Sequence, residues 1–240
     1  MKIVEIYKEL DKISPFELQE PWDNSGLIVG DFNQEIETIV LSIDVDEKLI
    51  DSLDENTLLI THHPLIFKGL KEVDFSKYPS NLIHKMIRKN ISNIAMHTNF
   101  DITDLNDYVV EEILGYKIVQ KDGFIAYIEV DEKFEDFAKK IEKKLGLEFK
   151  KYVKCHDYVK KVAITTGSGS SLISKIDADC FLTGDIKYHD AMEAKSINLS
   201  LIDIGHYESE HFFAQILDEH LKNLGLKVII ASSENPFTYI

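Results

Sequence analysis

Apolar residues recur at helical spacing at the start of the chain: Ile3, Ile6, Tyr7, Leu10 and Ile13 share one face, and Ser14-Pro15 closes the segment. A helix is predicted there. The pattern then changes to short, bounded apolar runs at residues 26–30, 39–43, 58–60 and 91–96, with helical patterns at 47–53 and 82–89 between some of them. Such alternation predicts a largely parallel sheet. Its strands read as unbroken apolar runs because helices cover both faces.

A helix is expected at 105–114, where Gly115 supplies a stop, followed by a strand at 124–130 and a charged helix at 134–145. Lys139, Lys140, Lys143 and Lys144 among acids mark that helix as carrying a solvated face. Strands at 161–166, 180–183, 199–204 and 227–231 then alternate with helices at 188–196 and 207–224. The fold class is α/β: two α/β subdomains with mixed, largely parallel sheets. Residues 1–118 with 205–240 are assigned to the first subdomain and 119–204 to the second. Two similar strand ends, LLITHHP and CFLTGDI, hint at a divergent repeat.

Composition narrows the class. The 240 residues carry 27 Lys+Arg and 42 Asp+Glu, so 27 − 42 = −15, with 44% hydrophobic residues. That is enough chain to bury a core without covalent staples. The only cysteines, Cys155 and Cys180, lack CxxC spacing, which argues against a disulfide framework or a Cys-rich zinc site. No apolar run approaches the ~18 residues of a membrane helix, and the N-terminus has no signal-peptide core. The expectation is a cytoplasmic protein without a membrane role. Its negative charge repels phosphodiester backbones, so nucleic acid is not an expected partner.

The candidate chemistry lies in three short clusters of His and carboxylate at strand ends, where α/β sheets collect their ligands. In Thr61-His62-His63-Pro64, extended backbone would send adjacent imidazoles to opposite sides, which suits two metal centres better than one. Two solvated loop histidines are the plain alternative. His97-Thr98-Asn99-Phe100-Asp101 offers a hard anionic oxygen in Asp101, equally suited to cap a helix, and an imidazole at His97 that could bind metal or orient a ligand. In Gly205-His206-Tyr207-Glu208-Ser209-Glu210, His206 and Glu210 stand one helical turn apart on one face, while Glu208 and His211 point elsewhere. Together His62, His63, Asp101, His206 and Glu210 form a donor set for divalent cations. With Glu210 bridging, each of two metals has two private ligands and a carboxylate oxygen, and a shared water completes four. Two dications against two carboxylates leave about +2, a locally positive pocket.

PWDNSGLIVG (21–30), THHPLIF (61–67), HTNFD (97–101) and GHYESE (205–210), in this order, resemble the NIF-three-like family, also described as GTP cyclohydrolase I type-two homologues. The resemblance spans nearly the whole chain. It implies two α/β subdomains facing a metal-binding cleft, with His62 and Asp101 on one metal, His63 and His206 on the other and Glu210 between them. It also implies a homohexameric ring, and the chain length matches the short form without an inserted domain. The metals would be two divalent ions per chain, zinc, iron or manganese.

The implied activity is metal-dependent hydrolysis of a small-molecule, nucleotide substrate through a metal-bridging water. Opening of a nucleotide such as GTP, with His97 as the catalytic proton carrier, and phosphoester hydrolysis are both compatible with it. The alternative is a metal-binding ring-shaped scaffold or regulatory protein without catalysis. Thr183-Gly184-Asp185 with His189 is a candidate substrate-binding pair, with helix capping by Asp185 the plain reading. Thr165–Ser171 reads as a tight βα turn rather than an anion nest, because it has no P-loop lysine. Trp22-Asp23-Asn24 fits either the family's cleft segment or simple packing of Trp22.

Overall fold

The computed structural model describes residues 1–231 and 234–239. The chain forms two compact units, Met1–Thr103 with Phe213–Glu234 and Asp104–Phe212 with Asn235–Ile240.

The first unit opens with helix Ile3–Ile13, whose Ile3, Ile6 and Leu10 are fully buried, as their spacing predicts. Strands β1 (Gly26–Val29), β2 (Thr38–Ser42), β3 (Thr57–Thr61) and β4 (Ser92–Ala95) follow. Helices Glu47–Ser52 and Ser80–Arg88 provide the crossovers that keep β2, β3 and β4 parallel. β1 lies antiparallel on β4 at the edge. All five residues of β3 are buried. Leu59 and Val40 pack with Leu49, Ile50, Leu82 and Met86 of the two crossover helices, while helix Phe213–Asn223 packs on β2. Each fully buried leucine contributes about 1.5–3 kcal/mol.

Residues 98–113 are helical throughout, with wide π-type turns at Asp101–Leu105 and Val109–Ile113. The helix therefore begins seven residues before its expected start at 105. Its first turn lacks an apolar period because it buries polar side chains: Asn99 Nδ2 donates to Ser14 O at 2.9 Å.

The second unit contains β5 (Ile118–Asp122), β6 (Ile125–Lys133), β7 (Tyr152–Val153), β8 (Tyr158–Ile164), β9 (Cys180–Thr183) and β10 (Ser200–Asp203), in the order β5-β6-β8-β9-β10-β7. Strands β8, β9 and β10 are parallel, whereas β5–β6, β6–β8 and β10–β7 are antiparallel. Both sheets are thus mixed, with parallel pairing dominant in the first. β5 escapes sequence detection because it is an exposed edge whose Gln120, Lys121 and Asp122 face water. The chain returns through β11 (Ile229–Ile230), parallel to β2.

The long helix expected at 207–224 is two helices, His206–Glu210 and Phe213–Asn223. Adjacent aromatics face different units: half-buried Phe212 contacts half-buried Tyr108 of the second unit, and fully buried Phe213 packs on Phe100 of the first. The chain turns at residues 211–212, between the two helices. Residues 104–118, 205–212 and 235–240, which the sequence predicts in the first subdomain, group with the second unit. Among the described residues no helix is long and apolar enough to cross a membrane.

Candidate metal centre

Parallel pairing of β3 with β4 sets Thr61 opposite Ala95, so His62 and His97 leave neighbouring strands side by side. Their rings lie 5.2 Å apart. His62 is fully buried. Its Nδ1 donates to the Met96 carbonyl at 2.9 Å, and its Nε2 stands 3.4 Å from Asp101 Oδ1. His63 donates from Nδ1 to Asp44 Oδ1 at 2.8 Å, and His97 from Nδ1 to Asp23 Oδ1 at 2.7 Å. A carbonyl or carboxylate oxygen only accepts, so each neutral ring carries its proton on Nδ1 and its lone pair on Nε2. One donor atom from each of His62, His63 and His97 lies within 4.8 Å of the other two.

The His62 and His63 rings are 4.9 Å apart and tilted by 48°. Extended side chains on opposite faces would be farther apart. Residues 62 and 63 instead occupy a bend beyond β3, where their amides bond to Ser42 O and Ile43 O. Asp101 is inside the helical run, with φ −57°, and does not cap it.

Asp23 is held by several hydrogen bonds. It accepts from the Asn24 amide at 2.7 Å, Ser25 Oγ at 3.1 Å, His97 Nδ1 at 2.7 Å, the Thr98 amide at 3.1 Å and Thr98 Oγ1 at 2.5 Å. Burial works against its charge, but bonds from His97, Thr98 and Asn24 outweigh burial and hold the carboxyl well below the usual range.

In the second unit, Gly205 follows β10 and leads into helix His206–Glu210. His206 donates from Nδ1 to Asp185 Oδ2 at 2.7 Å, and its Nε2 is 3.0 Å from Glu210 Oε2. Burial disfavours the imidazolium, yet the bonds and charges of Asp185 and Glu210 raise its pKa to about 11. Glu210 is itself buried. Room for its carboxylate comes from Gly167, at φ +61°, where any β-carbon would overlap it. Gly184 likewise lets the His206 amide approach closely. The Gly167 amide donates to Ser209 Oγ and the Gly169 amide to Thr183 Oγ1. The loop at 165–171 is a turn that makes space for a donor, with both glycine amides already bonded.

Asp185 is bound to His206 and does not cap helix Tyr188–Ser196, where Lys187 holds the cap position. His189 is exposed on that helix, edge-on to Tyr188, and belongs to none of the donor groupings among the described residues. Glu208 accepts from Asn235 Nδ2 at 2.8 Å, away from His206.

The sequence reading missed Asp44 and the Met96 carbonyl, and gave Asp23 no role of its own. Asp44 carries one available signal: it stands two residues beyond β2, at the strand edge from which His62 and His63 also emerge.

A model of the Duf34/NIF3 (NGG1p interacting factor 3) family matches residues 1–236. A Campylobacter jejuni protein named GTP cyclohydrolase 1 type 2 homolog is 55% identical over 240 residues, covering 100% of both chains. A Helicobacter pylori protein named GTP cyclohydrolase 1 type 2 is 42% identical, covering 99% of each. Among solved structures, a Staphylococcus aureus hypothetical protein superposes with a TM-score of 0.86 at 27% identity, covering 100% of this chain and 99% of that one. Reduced HcgD from Methanocaldococcus jannaschii does so with a TM-score of 0.80 at 27% identity, covering 96% of each.

Proposed function

The chain belongs to the Duf34/NIF3 family, and from that premise we propose that it is a dinuclear metal-dependent hydrolase acting on a nucleotide. In this reading the first unit offers His62, His63 and Asp101, and the second His206 and Glu210, as ligands for two divalent cations. Zinc, iron and manganese all suit mixed imidazole and carboxylate donors.

One observation carries the proposal: His62, His63 and His206 each bind an acceptor through Nδ1, so that Nε2 is the nitrogen that would ligate a cation, and at His62 and His206 it already faces another proposed donor, Asp101 and Glu210 respectively. Metal-ligating histidines are characteristically held this way, because the partner sets the tautomer, the ring angle and the basicity of the ligating nitrogen. Solvated loop histidines have no need of such anchors. Glu210 adds to the fit as a buried carboxylate kept in place by the missing side chain of Gly167.

Divalent cations held by His62, His63, Asp101, His206 and Glu210 would supply a water acidified toward neutrality and would polarise the bond under attack. The chain's own residues do the rest. Asp44, Met96 O and Asp185 orient the ligating rings, and Asp23 directs Nε2 of His97 toward the His62–His63 face, where it can accept a proton. The carboxylates change the charge balance expected from five ligands. Two dications against Asp101, Glu210, Asp23, Asp44 and Asp185 leave 4 − 5 = −1, so long-range attraction of phosphates is weaker than +2 implies. Recognition of the substrate must then depend on short-range contacts.

The names of the relatives favour hydrolytic opening of the base of GTP; phosphoester hydrolysis is the other reaction such a centre could run. Formate and phosphate release from a nucleotide panel by metal-loaded protein separates the two, and absence of turnover with every substrate rejects both. A metal-holding scaffold without turnover is the second reading, favoured by the family's description as an interacting factor. Metal content discriminates further: about two ions per chain are expected, and Glu210→Ala should remove at least one. Retention of both would contradict a bridging Glu210. The proposal includes a homohexamer, for which sedimentation equilibrium should report six chains.

A further inference from the structure

Trp22 is the only tryptophan of the chain, and it is not a core residue: it is 57% exposed. Phe67, from the loop after the double histidine, is 42% exposed and meets it with ring centroids 5.9 Å apart. Both rings stand edge-on to His97, Trp22 at 6.3 Å and 79° and Phe67 at 6.1 Å and 81°. An aromatic pair therefore borders the imidazole nearest the His62–His63 face and keeps much of its surface open to solvent.

The mount beneath this pair is rigid. Asp23, next to Trp22, is tied down by five hydrogen bonds and its side chain is fully shielded. Asn24 Nδ2 donates to Ile66 O at 2.5 Å, joining the tryptophan loop to the residue before Phe67. Gln19 closes the loop from its other side, accepting from the Ser25 amide at 2.8 Å. Packing does not explain an exposed indole on so fixed a support. Large apolar rings held open to water beside a polar site form a surface for a planar apolar ligand, and aromatic faces bind nucleobases by stacking.

We propose that Trp22 and Phe67 form a stacking platform for the purine base of the substrate, beside His97. This deepens the hydrolase reading and rests on it for the identity of the ligand as a nucleotide. The bicyclic indole matches a bicyclic base in extent. Stacking engages the face of the base and leaves its ring edge open. Because every base has a π-face, the platform supplies affinity without choosing guanine over adenine. It also provides the short-range recognition that the local charge leaves necessary.

The lone tryptophan makes the test direct, since its fluorescence reports on this site alone. Guanosine and adenosine, which carry no phosphate, should each change Trp22 emission saturably, while ribose 5-phosphate, which carries no base, should not. By calorimetry, Trp22→Ala should weaken guanosine binding about 5- to 150-fold, the range for one lost stacking contact, and Phe67→Ala should weaken it in the same direction. Trp22→Phe should restore most of the affinity. Trp22 is exposed, so these variants should keep the wild-type melting temperature and metal content. No saturable response to either nucleoside, or unchanged guanosine affinity in both alanine variants, would overturn the platform. The two readings fail separately: nucleoside binding without turnover of any substrate rejects the hydrolase and leaves the platform, whereas turnover with unaltered KM in Trp22→Ala rejects the platform and leaves the hydrolase.

Discussion

Asp44 and Asp185 hold two of the proposed ligands without being counted among them. Each accepts from Nδ1 of a histidine, His63 and His206 respectively, and so sets which ring nitrogen would ligate. Replacing either with asparagine keeps the shape but removes the charge that raises the basicity of the ring. Asp44→Asn and Asp185→Asn should each lower metal affinity about 10- to 100-fold, measured by competition with a chromophoric chelator. Wild-type affinity in both would reject their orienting role. Gly167 makes the complementary point. A methyl group there would displace the Glu210 carboxylate and strain a backbone at φ +61°. Gly167→Ala should lose metal as Glu210→Ala does, even though no donor atom is removed; undiminished metal content would show that Glu210 can relocate.

Among the elements, β3 and β9 show why parts of the chain were legible from sequence. Leu58, Leu59 and Ile60 in one and Cys180, Phe181 and Leu182 in the other are wholly buried, so their apolar runs are unbroken. Leu59→Ala should cost about 2–5 kcal/mol in denaturant unfolding, the usual result of opening a cavity among packed side chains. Cys180 gives a chemical check on the same strand. Burial, with the charge of Asp179, pushes its thiol strongly up. It should therefore resist alkylation at alkaline pH in the native protein and react only on unfolding, while half-buried Cys155 reacts first. Equal rates for both thiols would contradict the packing of β9. The elements that escaped were those without a period. β5 is a polar edge, and the first turn of helix 98–113 is built on buried polar groups.

For the whole molecule, metal binding and stability are linked if the native donors hold cations that the unfolded chain does not. Saturating zinc or manganese at about a hundred times its dissociation constant should add roughly 2.7 kcal/mol per site, and a chelator should reverse the gain in thermal melting. A melting temperature indifferent to both would argue that the donors do not hold metal in the native state. The charge of −15 bears on this scale too. It opposes approach of polyanions from a distance, and the five carboxylates of the proposed centre would reinforce that, so substrate affinity would depend on stacking and direct ligation.

Order along the chain was enough to establish the α/β class, the strand runs that end in His62, His97 and Gly205, and the spacing that aligns His206 with Glu210. Those features depend on local periodicity and on strand ends being where parallel sheets expose functional groups. Pairing across the sheet decided the rest. Asp44 reaches His63 from another strand, Asp23 crosses 74 residues to His97, and Asp185 crosses 21 to His206. The division of aromatic neighbours Phe212 and Phe213 between two units was equally invisible. A hydrogen bond between side chains on separate elements leaves no period in the sequence, because its partners are brought together only when β1, β4, β3 and β2, or β9 and β10, take their places side by side.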